Sequence, residues 1–159
     1  MKLIPLTQGQ FAFVDDADFE ELSRFKWCAA WSPYTRTYYA IRSSLMVGGK
    51  RTTIQMSRWI LGLTDPKVRA DHKDHNTLDN QRANLRPATH AQNSRNLSGA
   101  NRNSKTGVRG VCPDGSGYRA HILVGGKKLN LGQFKTIPEA SAAYAVANRH
   151  HFGEFGGGL

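Results

Sequence analysis

The 159-residue chain carries 22 Lys and Arg against 12 Asp and Glu, a formal charge of +10. That balance points to a polyanionic partner, with a ribosomal or merely soluble basic protein as the plain alternative. Cys28 and Cys112 lie far apart with no Cys-x-x-Cys, so neither a disulfide framework nor a cysteine zinc site is signalled. No apolar run approaches the roughly 18 residues of a membrane helix, and a soluble protein of a reducing cytoplasm, without a signal peptide, is expected.

Leu3 to Leu6 and Phe11 to Val14 are short apolar runs separated by Thr7-Gln8-Gly9-Gln10, which predicts a hairpin. Asp15 and Asp16 offer N-caps for a helix ending near Arg24-Phe25. Lys26 to Trp31, Tyr38 to Ser43 and Arg51 to Met56 read as three strands, the last two joined through Val47-Gly48-Gly49-Lys50, and Ser57 to Leu61 as a short helix. Most aromatics here belong to a core, while Arg36, Arg42, Lys50, Arg51 and Arg58 are candidates for phosphate contact.

The stretch from Ala70 to Asn96 is the richest in chemistry. Asp71 offers a hard oxygen ligand beside His72, whose imidazole has an ordinary pKa near 6.5, suited to proton abstraction near neutral pH. Asn80, Asn84 and Leu85-Arg86 read as a connection to a helix that a Thr89-x-x-Gln92 capping box starts at His90. That helix carries Asn93, a second oxygen donor, and His90, Asn93 and Asn96 recur every three residues. One Asp and one Asn leave most of a cation's sphere to water and phosphate, as Mg²⁺ sits in phosphoryl-transfer sites. A zinc site built on His72, His75 and His90 is the rival reading, without a nearby thiolate. In a regular strand Asp71 and His72 point to opposite faces, so both reach one phosphate only where the strand ends or bends.

The ordered string Asp71-His72, Asp79-Asn80, Asn84-Leu85-Arg86, Thr89-His90-x-Gln92-Asn93 and Asn96 resembles the HNH endonuclease motif of the phage and homing type. The resemblance implies a ββα-metal fold, His72 as general base, Asp71 and Asn93 as ligands of Mg²⁺ or Mn²⁺, and Asn84 as the residue that holds the loop. Arg86 and His90 would add phosphate contacts. Lys73 stands where the family usually has an apolar residue, and His75 where its turn more often has Gly, which makes His75 a rival for the base.

Leu97 to Lys105 is polar and has no hydrophobic period, so it reads as a linker, with Arg95, Arg102 and Lys105 available to phosphates. Gly107 to Cys112, Tyr118 to Val124 and Lys128 to Phe134 are strand candidates, separated by the turn signals Pro113 to Gly117 and Gly125-Gly126-Lys127. Thr136-Ile137-Pro138-Glu139 is a capping box, followed by a stripe of Ala140, Ala143, Tyr144 and Ala147. Gly110-Val111, Tyr118 to Ile122, Leu131 to Phe134, Ala143-Tyr144 and Gly153-Glu154-Phe155 resemble the APETALA/ethylene-response-factor type of DNA-binding domain. By that resemblance Arg109, Arg119, His121, Leu123, Lys128 and Asn130 face DNA. Leu123 and Asn130 stand where plant members carry Arg or Trp, which implies weaker or different base readout. Tyr39-Ala40-Ile41 before Val47 to Lys50 also echoes Tyr118 to Lys127, a likeness that two Gly-Gly hairpins produce equally well by chance.

Together these readings describe an α+β protein: residues 1–65 a small α+β unit, 66–97 the HNH core, 98–105 a linker, and 106–159 a three-stranded antiparallel sheet packed on one helix. The function expected is metal-dependent hydrolysis of double-stranded DNA by a site-specific phage or mobile-element nuclease in a bacterial host cell. It would be a monomer with no membrane or small-molecule cofactor. The alternatives are a sequence-specific DNA-binding protein with an inactive HNH core and a basic RNA-associated structural protein.

Overall fold

Lys2–Pro5 (β1) and Phe11–Val14 (β2) form the antiparallel hairpin that the polar tetrapeptide predicts. In the computed structural model, which describes residues 1–44, 49, 51–96, 100 and 103–156, the chain forms two compact units, Met1–Asn93 and Ser94–Leu159. Val47, Gly48 and Lys50 of the expected glycine turn, Arg102, and part of the expected linker 98–105 lie outside the described residues.

In the first unit, Asp16–Ser23 (α1) follows the hairpin. Asp15 sits at the N-cap but makes no side-chain cap bond. Its carboxylate instead accepts the Arg82 backbone N–H at 2.8 Å, so a residue read as a local cap tethers a distant loop. Cys28–Ser32 (β3), Thr37–Ser43 (β4) and Thr53–Gln55 (β5) build an antiparallel sheet in that order, and Met56–Ile60 (α2) leaves its end. The core gathers Ile4, Val14, Leu22, Trp27, Met56 and Leu85. Burying such side chains stabilises the unit by about 1.5–3 kcal/mol each, and the Trp27 indole N–H is satisfied by the Leu22 carbonyl at 2.9 Å.

Two of the arginines read as phosphate contacts have partners within this unit. The Arg42 guanidinium lies over Phe25 and Trp59, at 4.0 and 4.7 Å from the ring centroids, and closes the core by cation–π attraction. Arg58 donates to the carbonyls of Leu63 and Asp65 and to that of Val68, organising the loop after α2. Neighbouring sequence shows only a cation near aromatics and turn residues, and the tertiary fold decides what that cation meets.

Arg69–His72 (β6) and Leu85–Ala88 (β7) form a second antiparallel hairpin, and His90–Arg95 (α3) follows. Leu85 and Arg86, expected in a connection, lie on β7, because their backbones pair with His72 and Asp71. The capping box at α3 is reciprocal: the Gln92 N–H donates to Thr89 Oγ1 at 3.2 Å, and the Thr89 N–H to Gln92 Oε1 at 2.8 Å.

The second unit is a sheet of Val111–Asp114 (β8), Gly117–Val124 (β9) and Lys127–Phe134 (β10), with β9 central, and a helix, Ile137–Phe152 (α4). The first strand begins four residues later than the sequence reading has it. Residues before it form a hydroxyl-held loop instead, in which Thr106 Oγ1 donates to the Val111 carbonyl at 2.9 Å and accepts from the Val108 N–H at 3.3 Å. Pro113, read as a turn residue, sits within β8, tolerated because β8 is an edge strand where a missing N–H breaks no ladder. Both halves of the Thr136–Glu139 capping box are present. Ala140 and the side of Tyr144 are buried on one face of the sheet, against Val111 and Ala120.

Gly110 permits that close packing. At φ +71°, a Cβ there would lie 2.2 Å from Tyr144 Cδ2 and 2.7 Å from the His121 carbonyl oxygen. Gly110→Ala is expected to destabilise this unit by about 2–4 kcal/mol, combining overpacking with left-handed strain. A denaturant midpoint unchanged from that of the unaltered chain would refute this. The architecture is α+β, and no helix among the described residues is long and apolar enough to cross a membrane.

Candidate active site

The β6–β7 hairpin sets Asp71 opposite Arg86 and His72 opposite Leu85. Arg86 Nε donates to Asp71 Oδ2 at 2.7 Å, and both side chains are almost wholly buried, at 7% and 5% exposure. The geometry holds the carboxylate in one orientation. β6 ends at His72, the last residue of the ladder, while Asp71 lies one position within it.

His72 is itself buried. Burial pushes its pKa below the ordinary histidine value, opposed by a hydrogen bond to Asn80 and by the negative charges of Asp71, Asp74 and Asp79. Desolvation wins, so the imidazole is neutral at pH 7, the form that accepts a proton. The Tyr39 ring meets it edge-on, with centroids 6.5 Å apart. Asn80, 1% exposed, donates through Nδ2 to the Leu78 carbonyl at 3.2 Å, and its backbone N–H donates to the Phe13 carbonyl at 2.8 Å.

Asn84 spans the intervening loop. Its Oδ1 accepts the Asp74 N–H at 3.1 Å and its Nδ2 donates to the Asp79 carbonyl at 2.9 Å. Thr77 fastens the same loop to β4, donating to the Tyr38 carbonyl at 2.5 Å and meeting Thr37 Oγ1 at 2.7 Å. Asn93 follows on α3, half-buried, its backbone N–H donating to the Thr89 carbonyl at 2.9 Å, and His90 is exposed at the start of that helix. No group of three or more His, Cys, Asp or Glu gathers in metal-binding proximity among the described residues, so the three-imidazole zinc arrangement is not assembled there.

Along 93% of its length the chain is 31% identical to an uncharacterized HNH endonuclease of Acanthamoeba polyphaga mimivirus, covering 74% of that protein. The chain belongs to the HNH endonuclease family. No protein-family model matches it, and no solved structure does. Family membership makes nucleic acid the substrate at a coarse level. Asn80 and Tyr39, the residues that touch His72, were not singled out as its partners by sequence reasoning. Asn80 had a signal, since it lies in the Asp79-Asn80 pair of the motif. Tyr39 had none, because it reaches His72 from another sheet.

In this HNH endonuclease His75 adopts φ +68°, a left-handed conformation that glycine takes without penalty and other residues take at a cost of about 1–2 kcal/mol. The sequence difference at this turn therefore stores strain. His75→Gly is expected to raise stability by up to about 1 kcal/mol and to keep cleavage intact. Loss of cleavage in that variant would point to His75, rather than His72, as the base.

The sheet of the endonuclease's second unit divides cleanly by parity. Ala120 and Ile122 are buried, while Arg119 and Leu123 are exposed and His121 is partly so. Register places Lys128 beside Leu123 and Asn130 beside His121, on that same uncovered face. Arg119 is neutralised there by Asp114, whose Oδ2 accepts from Arg119 Nη2 at 2.6 Å and also from Gln133 Nε2. These bonds, that from Gln133 foremost, hold the Asp114 carboxyl below the usual carboxylate range. Asn130 Oδ1 accepts the Gly132 N–H at 3.1 Å across the bulge in β10. Arg109 lies before β8 rather than on a strand, and its guanidinium donates to the carbonyls of Arg95 and Ser94 at 2.9 and 3.3 Å. The cause is the late start of β8, which leaves Arg109 in the loop.

Proposed function

We propose that this HNH endonuclease hydrolyses phosphodiester bonds in duplex DNA with a divalent cation, His72 acting as general base. The observation that carries the reading is a buried imidazole, kept neutral by desolvation and braced by Asn80, at the end of a strand that also presents a buried carboxylate. In such a site His72 takes the proton from the attacking water, and Asn80 fixes the ring that does so.

Asp71 and Asn93 are the residues that would hold Mg²⁺ or Mn²⁺. One carboxylate and one carboxamide suit a hard ion that keeps water and phosphate oxygens for the rest of its shell, and the 2.7 Å contact with Arg86 orients the carboxylate. Bound there, the cation supplies charge neutralisation at the scissile phosphate and the leaving 3′ oxygen. Arg86 acts on this site through Asp71, and the exposed His90 is the better placed of the two for a phosphate contact.

The second unit is a DNA-binding module of the APETALA/ethylene-response-factor type in this reading. Arg119, His121, Lys128 and Asn130 lie on the face that α4 leaves uncovered, and a sheet of this size can enter the major groove. The enzyme works as a monomer that nicks one strand per engagement, as a phage or mobile-element nuclease inside a bacterial cell. Supercoiled plasmid incubated with and without Mg²⁺ or Mn²⁺ tests the reading. Metal-dependent nicked product from the unaltered chain, absent with His72→Ala, supports it, whereas specific binding without cleavage across metals and sequences replaces it with a DNA-binding protein whose HNH core is inactive.

A further inference from the structure

From Leu22 to Thr64 the sequence contains seven Lys or Arg and no Asp or Glu. This acid-free stretch builds the whole β3–β4–β5 sheet. β5 pairs only with Ile41 to Ser43, so from Ala30 outward β3 and β4 continue as a two-stranded ribbon. At its tip Tyr34 is 97% exposed, and Trp31 is 52% exposed, its ring supported edge-on by Tyr38 at 5.0 Å. Arg36 is exposed beside them at φ +53°. Large aromatic rings left largely in water at the end of a ribbon are suited to a partner.

We propose that the β3–β4 hairpin is a DNA-reading arm of the nuclease unit, its tip entering a groove of the duplex beside the scissile phosphate, with Tyr34 and Trp31 against base edges and Arg36 on phosphate. A two-stranded ribbon fits the major groove, and the absence of carboxylates removes like-charge repulsion from the phosphate backbone. The arm is registered to the proposed base by contacts within the same unit: Thr77 bonds both Thr37 and Tyr38 of β4, and Tyr39 touches His72. DNA held by the tip is thereby held at a fixed distance from the imidazole. The inference rests on the duplex-DNA reading above and extends it to a contact surface separate from the second unit.

Binding of a fluorescent random-sequence duplex, with Ca²⁺ replacing Mg²⁺, is the test, using the full chain and Tyr34→Ala, Trp31→Ala and Arg36→Ala. The two aromatic variants are expected to bind about fivefold more weakly each, a loss of about 1 kcal/mol of contact. Arg36→Ala should lower the slope of log affinity against log salt by about 0.9, one phosphate contact. If all three variants bind as the unaltered chain does while that chain cuts plasmid, the hairpin contact is overturned and the nuclease reading stands. If the unaltered chain neither binds duplex nor cuts it, both are overturned. Preference for a structured RNA hairpin, weakened by these same substitutions, overturns the assignment to DNA.

Discussion

His72→Ala is expected to lower the rate of DNA cleavage by at least about a hundredfold, the lower range of what a positioned general base contributes, while duplex binding in Ca²⁺ changes little. The side chain is buried, so its removal also leaves space, and His72→Gln serves as the variant that keeps volume without the base. The pH dependence follows from the same burial. Because the pKa is lowered from the ordinary histidine value, the neutral imidazole persists below pH 6.5, and activity should hold through neutrality and decline only as pH falls through that lowered pKa. Stability changes with the same sign: the depressed folded-state pKa gives a contribution that is complete above the unfolded value and is lost as pH falls, since protonation then acts against the fold. A cleavage profile that falls away as pH drops from 8 to 7 would contradict a base of this kind, as would wild-type rates in both variants.

The second large effect concerns the Asp71–Arg86 pair. Arg86→Ala leaves a carboxylate that is 4% exposed without the guanidinium now 2.7 Å away, and removing one partner of a buried ion pair costs about 3–5 kcal/mol. That is a large share of the total stability of a small domain, so the first unit should show a sharply lowered denaturant midpoint or fail to fold. Arg119→Ala provides the contrast on the same chain. Its ion pair with Asp114 is closer still, at 2.6 Å, but Arg119 is 44% exposed, and solvent-exposed pairs contribute about 1 kcal/mol or less. Burial, rather than distance, separates the two predictions, and similar midpoints for both variants would overturn the reasoning.

What the sequence makes legible here is local. Thr89 with Gln92 and Thr136 with Glu139 announce two helix starts, because a capping box is completed within four residues. The alternation along Tyr118 to Leu123 gives the buried and uncovered faces of β9, since strand parity needs no knowledge of the partner. Long-range partners are not written this way. Asp15 resembles a cap and instead holds Arg82, 67 residues away. Arg42 and Arg58 resemble phosphate ligands and are drawn into aromatic and carbonyl contacts that exist only once β4, α2 and the following loop have met. At the candidate site, the Asp71-His72 pair stands out from composition and order alone. Its setting, Arg86 across the ladder, Asn80 on the intervening loop and Tyr39 from a neighbouring sheet, depends on register and packing that no short pattern encodes.

The loop that carries Asn80 is threaded against the very start of the chain: the Phe13 N–H donates to the Leu78 carbonyl, and the Phe13 carbonyl accepts the Asn80 N–H. The residue that braces the imidazole is thus itself supported by the N-terminal hairpin, 67 positions upstream at Phe13. A shuffled gene that transplanted only the stretch around Asp71 and Asn93 into another protein would carry these residues without their scaffold. The unit from Met1 to Asn93 is held together by this contact, and a gene crossover that separates Phe13 from Asn80 is expected to unfold it.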